Sequence, residues 1–168
     1  TSIKSPTCKY GGVIAAQNGG VINNCSALNS RINSFEEAFI GLICGTATGK
    51  ILNCFTENDT IDVSKSTNAG AIAGSSSGYI KNCYTYKNTF YMSSKSYAGC
   101  ILGTCNKAKI ENCYIYHSKT NDRWGAAIGN SFNANIKNFY YNRGTLAYNT
   151  SYSESNTGKY NNKYSIGG

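Results

Sequence analysis

Asn-Cys occurs four times inside short runs of Ile and aromatic residues: Asn24-Cys25 in "VINNCS", Asn53-Cys54 in "ILNCF", Asn82-Cys83 in "IKNCY" and Asn112-Cys113 in "IENCY". A fifth run, "NIKNFYY", has Asn138 followed by Phe139. Successive asparagines are 29, 29, 30 and 26 residues apart. A second landmark keeps the same register: "GVIAA", "GLICG", "GAIAG", "GCILG" and "GAAIG" begin at Gly12, Gly41, Gly70, Gly99 and Gly125. A period of about 20–50 residues, kept by two independent landmarks, specifies a solenoid or array.

The repeated segments are short, β-branched and aromatic, and bounded by Gly, Asn and Ser. They carry neither helical periodicity nor helix caps, so they read as strands. Each unit holds a strand at Gly-x-Ile-x-Gly, a turn, a second strand at Ile-x-Asn-Cys-Tyr and a looser Thr/Ser/Lys-rich return, with "TIDVS" at residues 60–64 a candidate third strand. The predicted fold is all-β: a right-handed parallel β-solenoid of about five coils, stacked about 4.8 Å apart. Residues 11–142 form the solenoid, residues 1–10 an N-terminal cap, and residues 143–168 a C-terminal cap or tail.

Stacking turns equivalent residues into ladders. Asn24, Asn53, Asn82, Asn112 and Asn138 are expected to hydrogen-bond side chain to side chain, which would allow the amides to be buried. Cys25, Cys54, Cys83 and Cys113 form a small apolar interior row beside Ile22, Ile51, Ile80, Ile110 and Ile136. Polar residues between Ile and Asn, among them Lys81, Glu111 and Lys137, face water. Alternation then puts Phe55, Tyr84, Tyr114 and Tyr140 on the outside. Adjacent ladder thiols fall within the Cα range of a disulfide, although their side chains run parallel.

Composition narrows the chemistry. The chain has 168 residues, eight Cys, one His and a net charge of +8. That charge suits an acidic partner such as a polyanionic glycan, but no basic run concentrates it, and nucleic acid is not the expected partner. No apolar segment approaches the roughly 20 residues of a membrane span. There is no initiating Met or signal-peptide pattern, as in a mature protein or excised fragment. Without CxxC, and with His117 alone, no zinc site is expected, and no cofactor. Glu57, Asp59 and Asp62 are the only clustered acids and read as a solvated return loop. His117 reads as a surface residue, and no Ser, Thr or Cys has a matching base.

Two surfaces invite partners. Tyr84, Tyr86, Tyr114, Tyr116 and Tyr140, with Tyr141, Lys81 and Lys137 nearby, suit an extended glycan, because aromatic faces stack on sugar rings. Stacked tyrosines also stabilise a sheet face by themselves. Val13, Leu42, Ala71, Cys100 and Ala126 flank the Ile of Gly-x-Ile-x-Gly on one side and apolar residues flank it on the other, so this strand is expected to need an outer cover: return loops, tail or another protein.

Gly-x-Ile-x-Gly followed by Ile-x-Asn-Cys-Tyr every 29 residues resembles the GLUG-motif repeats of large bacterial surface and secreted proteins, over residues 12–142. The resemblance implies a β-solenoid scaffold and supplies no catalytic residue. The expected function is a non-enzymatic extracellular or cell-surface solenoid acting as an adhesin or spacer, with a glycan or another surface protein as partner. A subunit of a filament, sheath or virion surface, self-associating end to end or through the Gly-x-Ile-x-Gly face, is the alternative. A polysaccharide-active enzyme is the third reading.

Overall fold

The structure, a computed structural model, describes residues 2–5, 9–65, 67–93, 96–120, 124–125, 128–142 and 159–166. Among them every regular element is a strand, and every strand pairing is parallel. The chain is a β-solenoid with four sheets. Sheet A contains Ser2–Ser5, Arg31–Ser34, Thr60–Val63, Thr89–Tyr91 and Lys119–Thr120. Sheet B contains Tyr10–Gly12, Ala38–Gly41, Thr67–Gly70, Tyr97–Gly99 and Trp124–Gly125. Sheet C contains Ala15–Asn18, Cys44–Ala47, Ala73–Ser76, Leu102–Asn106 and Ile128–Phe132. Sheets A to C are thus five strands deep, so four turns of chain separate first and last strands.

Sheet D has two strips. Strip D1 holds Val21–Asn23, Lys50–Leu52 and Tyr79–Lys81; strip D2 holds Ser26–Leu28, Phe55–Glu57 and Tyr84–Tyr86. Lys109–Tyr116 and Asn135–Asn142 run through both strips. Lys159–Ile166 pairs in register with Asn135–Asn142 and so extends the stack beyond the last Asn landmark.

The register is the sequence period: Ile51, Ile80, Ile110 and Ile136 pair in order and are buried, with Ile22 half-buried at the first coil. The 26-residue step has a definite place. Phe90 pairs with Thr120, 30 residues on, whereas Ala98 pairs with Trp124, 26 on, so the shortening lies between sheets A and B. The 30-residue step lies at the corner from sheet C to strip D1. Glycines fill that corner in the early coils, and a Cβ on Gly78 would stand 1.9 Å from the Gly49 carbonyl oxygen. In the last two coils the corner gains a residue, with Lys107 and Asn133 left-handed and Ala108 and Ala134 buried beneath.

In the first three coils Asn-Cys stands between two strands, and in the fourth it lies within the continuous strand Lys109–Tyr116. Asn24, Asn53, Asn82, Asn112 and Asn138 all have φ between 52 and 55° and form the D1–D2 corner. Asn is one of the few residues that tolerates this left-handed region. The Cys that follows turns inward, and its thiol donates to the carbonyl two residues back: Cys54 to Leu52 at 3.0 Å, Cys83 to Lys81 at 3.3 Å and Cys113 to Glu111 at 3.4 Å. A small apolar body with a weak donor suits this corner, since the sulfur packs inside while the S–H holds the bend. Phe139 replaces the Cys in the fifth coil and is likewise buried.

Gly-x-Ile-x-Gly is also a corner, not the strand expected. Gly41 ends a strand of sheet B, Leu42 and Ile43 bend, and Cys44 opens a strand of sheet C. Sheets B and C then lie backbone against backbone. A Cβ on Gly45 would meet the Ala16 carbonyl oxygen at 2.6 Å and the Gly11 nitrogen at 2.8 Å, and one on Gly103 the Ala69 nitrogen at 2.4 Å. The two glycines of the landmark therefore permit close approach, one of the standard uses of a residue without Cβ.

Candidate functional site

The proposed assembly face is inside the protein. Leu42, Ala71 and Cys100 are fully buried, as are Ile43, Ile72 and Ile101 on the other side of the bend. Val13 is half-buried, and Ala126 lies outside the described residues. The cover the sequence called for is the chain itself, since these side chains belong to the one hydrophobic core.

The Asn ladder exists, but at the surface. Asn82 donates to Asn53 at 3.0 Å, Asn112 to Asn82 at 3.1 Å and Asn138 to Asn112 at 2.9 Å. Asn53 ends the ladder on Asn23, not on Asn24, at 2.9 Å. Asn24, Asn53, Asn82 and Asn112 are exposed and Asn138 half-buried, so left-handed backbone, not a buried amide, sets the residue type.

The truly buried polar ladder is a different row, Ser30, Asp59, Asn88 and Ser118, at the D2–A corner. Ser30 N–H donates to Asp59 Oδ1 at 2.6 Å and Glu57 N–H to Asp59 Oδ2 at 3.0 Å. Asp59 N–H donates to Asn88 Oδ1 at 3.0 Å, and Asn88 Nδ2 to Thr56 Oγ1 at 2.7 Å. Asp59 and Asn88 thus satisfy backbone N–H groups in the coil beneath, and the Ser30 hydroxyl donates to the Leu28 carbonyl at 3.2 Å within its own coil, as burial of polar groups requires. Sequence reasoning missed this row, though 29-residue spacing from Ser30 to Asp59 to Asn88 marks it.

Asp59 is therefore not in a solvated loop. Glu57 sits in the outward row of D2, and Asp62 pairs with Arg31 at 2.6 Å on sheet A, so the acidic cluster does not gather around one groove. Burial raises the Asp59 carboxyl to about 6, against the lowering effect of the Ser30 and Glu57 amides. A carboxyl raised on folding holds its proton more tightly in the folded state. The contribution of Asp59 to folding stability is therefore greatest below about pH 4, falls between about 4 and 6, and stays lowered above. Asp59→Asn is expected to abolish that fall, which amounts to about 3 kcal/mol for a shift of this size. Urea midpoints at pH 4 and pH 7 measure it.

The seven described cysteines are free thiols. Cys83 lies between Cys54 and Cys113 along the row, close enough for each thiol to affect its neighbour's ionisation. The Cys113 contact and burial push Cys83 to about 12, and burial pushes Cys44 to about 11. Thiols held this far above neutrality are poor nucleophiles at neutral pH.

The outward tyrosines stand as alternation requires. Phe55, Tyr84, Tyr114 and Tyr140 are in register, and Glu57, Tyr86 and Tyr116 form the next outward row. The rings of Phe55 and Tyr84 stack at 4.7 Å and 6°, those of Tyr86 and Tyr116 at 5.6 Å and 28°. The Lys87 ammonium lies 4.8 Å from the Tyr86 ring centre. Tyr141 pairs with Ile115 and so belongs to the register row of Thr85 and Ile115, not to that of Tyr84, Tyr114 and Tyr140. Thr56, Thr85 and Ile115 fill that inward row, with all three buried. His117 occupies a left-handed corner and meets Tyr116 edge-on at 4.1 Å.

Lys81 and Lys137 are on strip D1, across the Asn corner from these rings. Lys81 faces Glu111 at 3.9 Å, and Glu111 accepts a short hydrogen bond from the Tyr79 hydroxyl. That bond, then Lys81 and Lys137, hold Glu111 below the ordinary carboxylate range. The expected glycan site thus divides into an aromatic strip on D2 and a basic strip on D1. Among the described residues no three His, Cys, Asp or Glu are grouped to hold a metal ion, and no helix is long and apolar enough to cross a membrane. Comparison with family models, curated proteins and solved structures finds no match to this chain.

Proposed function

We propose that this chain is a non-catalytic β-solenoid of an extracellular or cell-surface protein, an adhesin-type or spacer module, that binds glycan along strip D2. The observation that carries the reading is the in-register outward row of Phe55, Tyr84, Tyr114 and Tyr140, one aromatic ring per coil. Such a row offers a flat, amphipathic track at small entropic cost. The resemblance to GLUG-motif repeats supports the scaffold role and the location.

Tyr84 is 39% exposed, and the inward Thr85 and Ile115 carry the packing behind it. The double variant Tyr84→Ala/Tyr114→Ala is therefore expected to keep its thermal midpoint to within about 3 °C. It is expected to lose about tenfold or more in affinity for any glycan that the native protein retains on an array, a loss of about 1.4 kcal/mol. Undiminished binding would reduce the rings to a purely structural role.

A second reading, end-to-end self-association, is favoured by the first coil. Ile14 is 43% exposed, whereas its equivalents Ile43, Ile72 and Ile101 are fully buried between neighbouring coils. A coil of a second copy placed there would complete the stack, in the head-to-tail manner that builds fibres. Sedimentation over a concentration series is expected to show association that Ile14→Lys removes. Monomers throughout would dismiss this reading.

A further inference from the structure

Strip D1 and its corner with sheet C carry an excess of positive charge that the fold itself does not use. Lys50, Tyr79 and Lys109 are in register on consecutive coils. At about 4.8 Å per coil, Lys50 and Lys109 stand about 10 Å apart along the axis, with the Tyr79 ring between them. A shallow cleft of about 480 Å³ runs over these three residues to Glu111, Asn135 and Lys137. A second depression of about 300 Å³ shares Lys50, Tyr79 and Lys109 and continues round the corner to Lys107. Lys50, Lys107, Lys109 and Lys137 are exposed, and none forms an ion pair among the described residues. The strip's single carboxylate, Glu111, already accepts from Tyr79 and faces Lys81.

We infer that this strip binds an acidic polysaccharide, a chain whose sugar rings carry carboxylate or sulfate groups. The inference rests on the reading that the ligand is a glycan and adds its chemical class and a second contact surface. Widely spaced lysines match a polymer with an acid group at intervals along its length. Duplex nucleic acid carries a charge about every 1.7 Å and is served by denser cationic contacts. The lone pairs of Glu111 that Tyr79 leaves free can accept from sugar hydroxyls. Tyr79 supplies the apolar ring face that a pyranose covers, with its hydroxyl fixed by Glu111.

The test is titration of the whole chain with polygalacturonate, dextran sulfate, neutral dextran and oligodeoxythymidylate at two salt concentrations. At least one acidic polysaccharide is expected to bind, more weakly at higher salt, and more tightly than dextran or the oligonucleotide. Lys50→Gln/Lys109→Gln/Lys137→Gln is expected to lower that affinity about tenfold or more. Lys9→Gln/Lys65→Gln/Lys119→Gln removes the same charge elsewhere and is expected to change it less than about threefold. Equal losses in the two triple variants, tighter binding of the oligonucleotide, or no binding of either acidic polymer would overturn the inference. Neutral glycan binding that depends on Tyr84 and Tyr114 but not on these lysines would leave the D2 reading standing while this one fails.

Discussion

Gly74→Ala is expected to lower stability by at least about 3 kcal/mol, enough to move the thermal midpoint of a chain this size down by about 6–12 °C. Gly74 closes the Gly-x-Ile-x-Gly of the middle coil and is buried. An added Cβ would stand 2.3 Å from the Ile40 nitrogen, 2.6 Å from the Phe39 carbonyl carbon and 2.8 Å from the Gly45 carbonyl oxygen. All three are backbone atoms. The neighbouring sheets could yield only by parting, and each is tied into parallel ladders on both sides of the clash. Overpacking with no flexible partner belongs among the costly substitutions. Gly19→Ala is the control, since the nearest atom to its added Cβ is the Thr48 hydroxyl at 3.8 Å; a change within about 0.5 kcal/mol is expected. Thermal melts of the two variants beside the native chain make the comparison. Equal behaviour would mean that sheets B and C are not in backbone contact.

Phe90→Ala is expected to cost about 3–5 kcal/mol, the range for a large buried ring removed from a packed interior. Phe90 is fully buried and pairs with Ile61, which pairs in turn with Ile32, both also buried. The inward side chains of all the sheets meet in one core and the ladders hold each in register, so the cavity cannot be refilled without breaking that register. Its neighbour Tyr91, 48% exposed on the opposite face of the strand, is expected to tolerate Ala within about 0.5 kcal/mol. Denaturant midpoints with unchanged slopes measure both. Similar costs at the two positions would mean that strand alternation in sheet A has been assigned the wrong way round.

The repeat made the architecture legible. Stacking imposes the same demand on each coil, so Ile51, Ile80, Ile110 and Ile136 are alike because they occupy one environment. What the sequence hid has a common origin in strand length. Elements of three or four residues are too short to show alternation apart from the corners that bound them. Asn82 and Ile72 therefore read as strand residues, although one sits at a left-handed corner and the other at a bend between two sheets. The burial of Leu42 and Ala71 was misread for the same reason. Apolar residues on both sides of a supposed strand called for an outer cover of return loops, tail or another protein, whereas a bend can turn consecutive side chains inward. The row of Ser30, Asp59, Asn88 and Ser118 escaped notice because its members differ chemically, although Asp59 and Asn88 make related bonds. The split between aromatic and basic strips was hidden too, since the αL corner between Lys81 and Tyr84 changes the direction of the chain without a Gly or Pro to announce it.

The measurement closest to the central claim is an NMR map of interstrand contacts in the whole chain. The account predicts proton–proton contacts joining Ile51 to Ile80 and Ile80 to Ile110, residues 29 and 30 apart, in a parallel pattern. Antiparallel contacts between segments adjacent in sequence, such as 67–76 with 79–86, would contradict it.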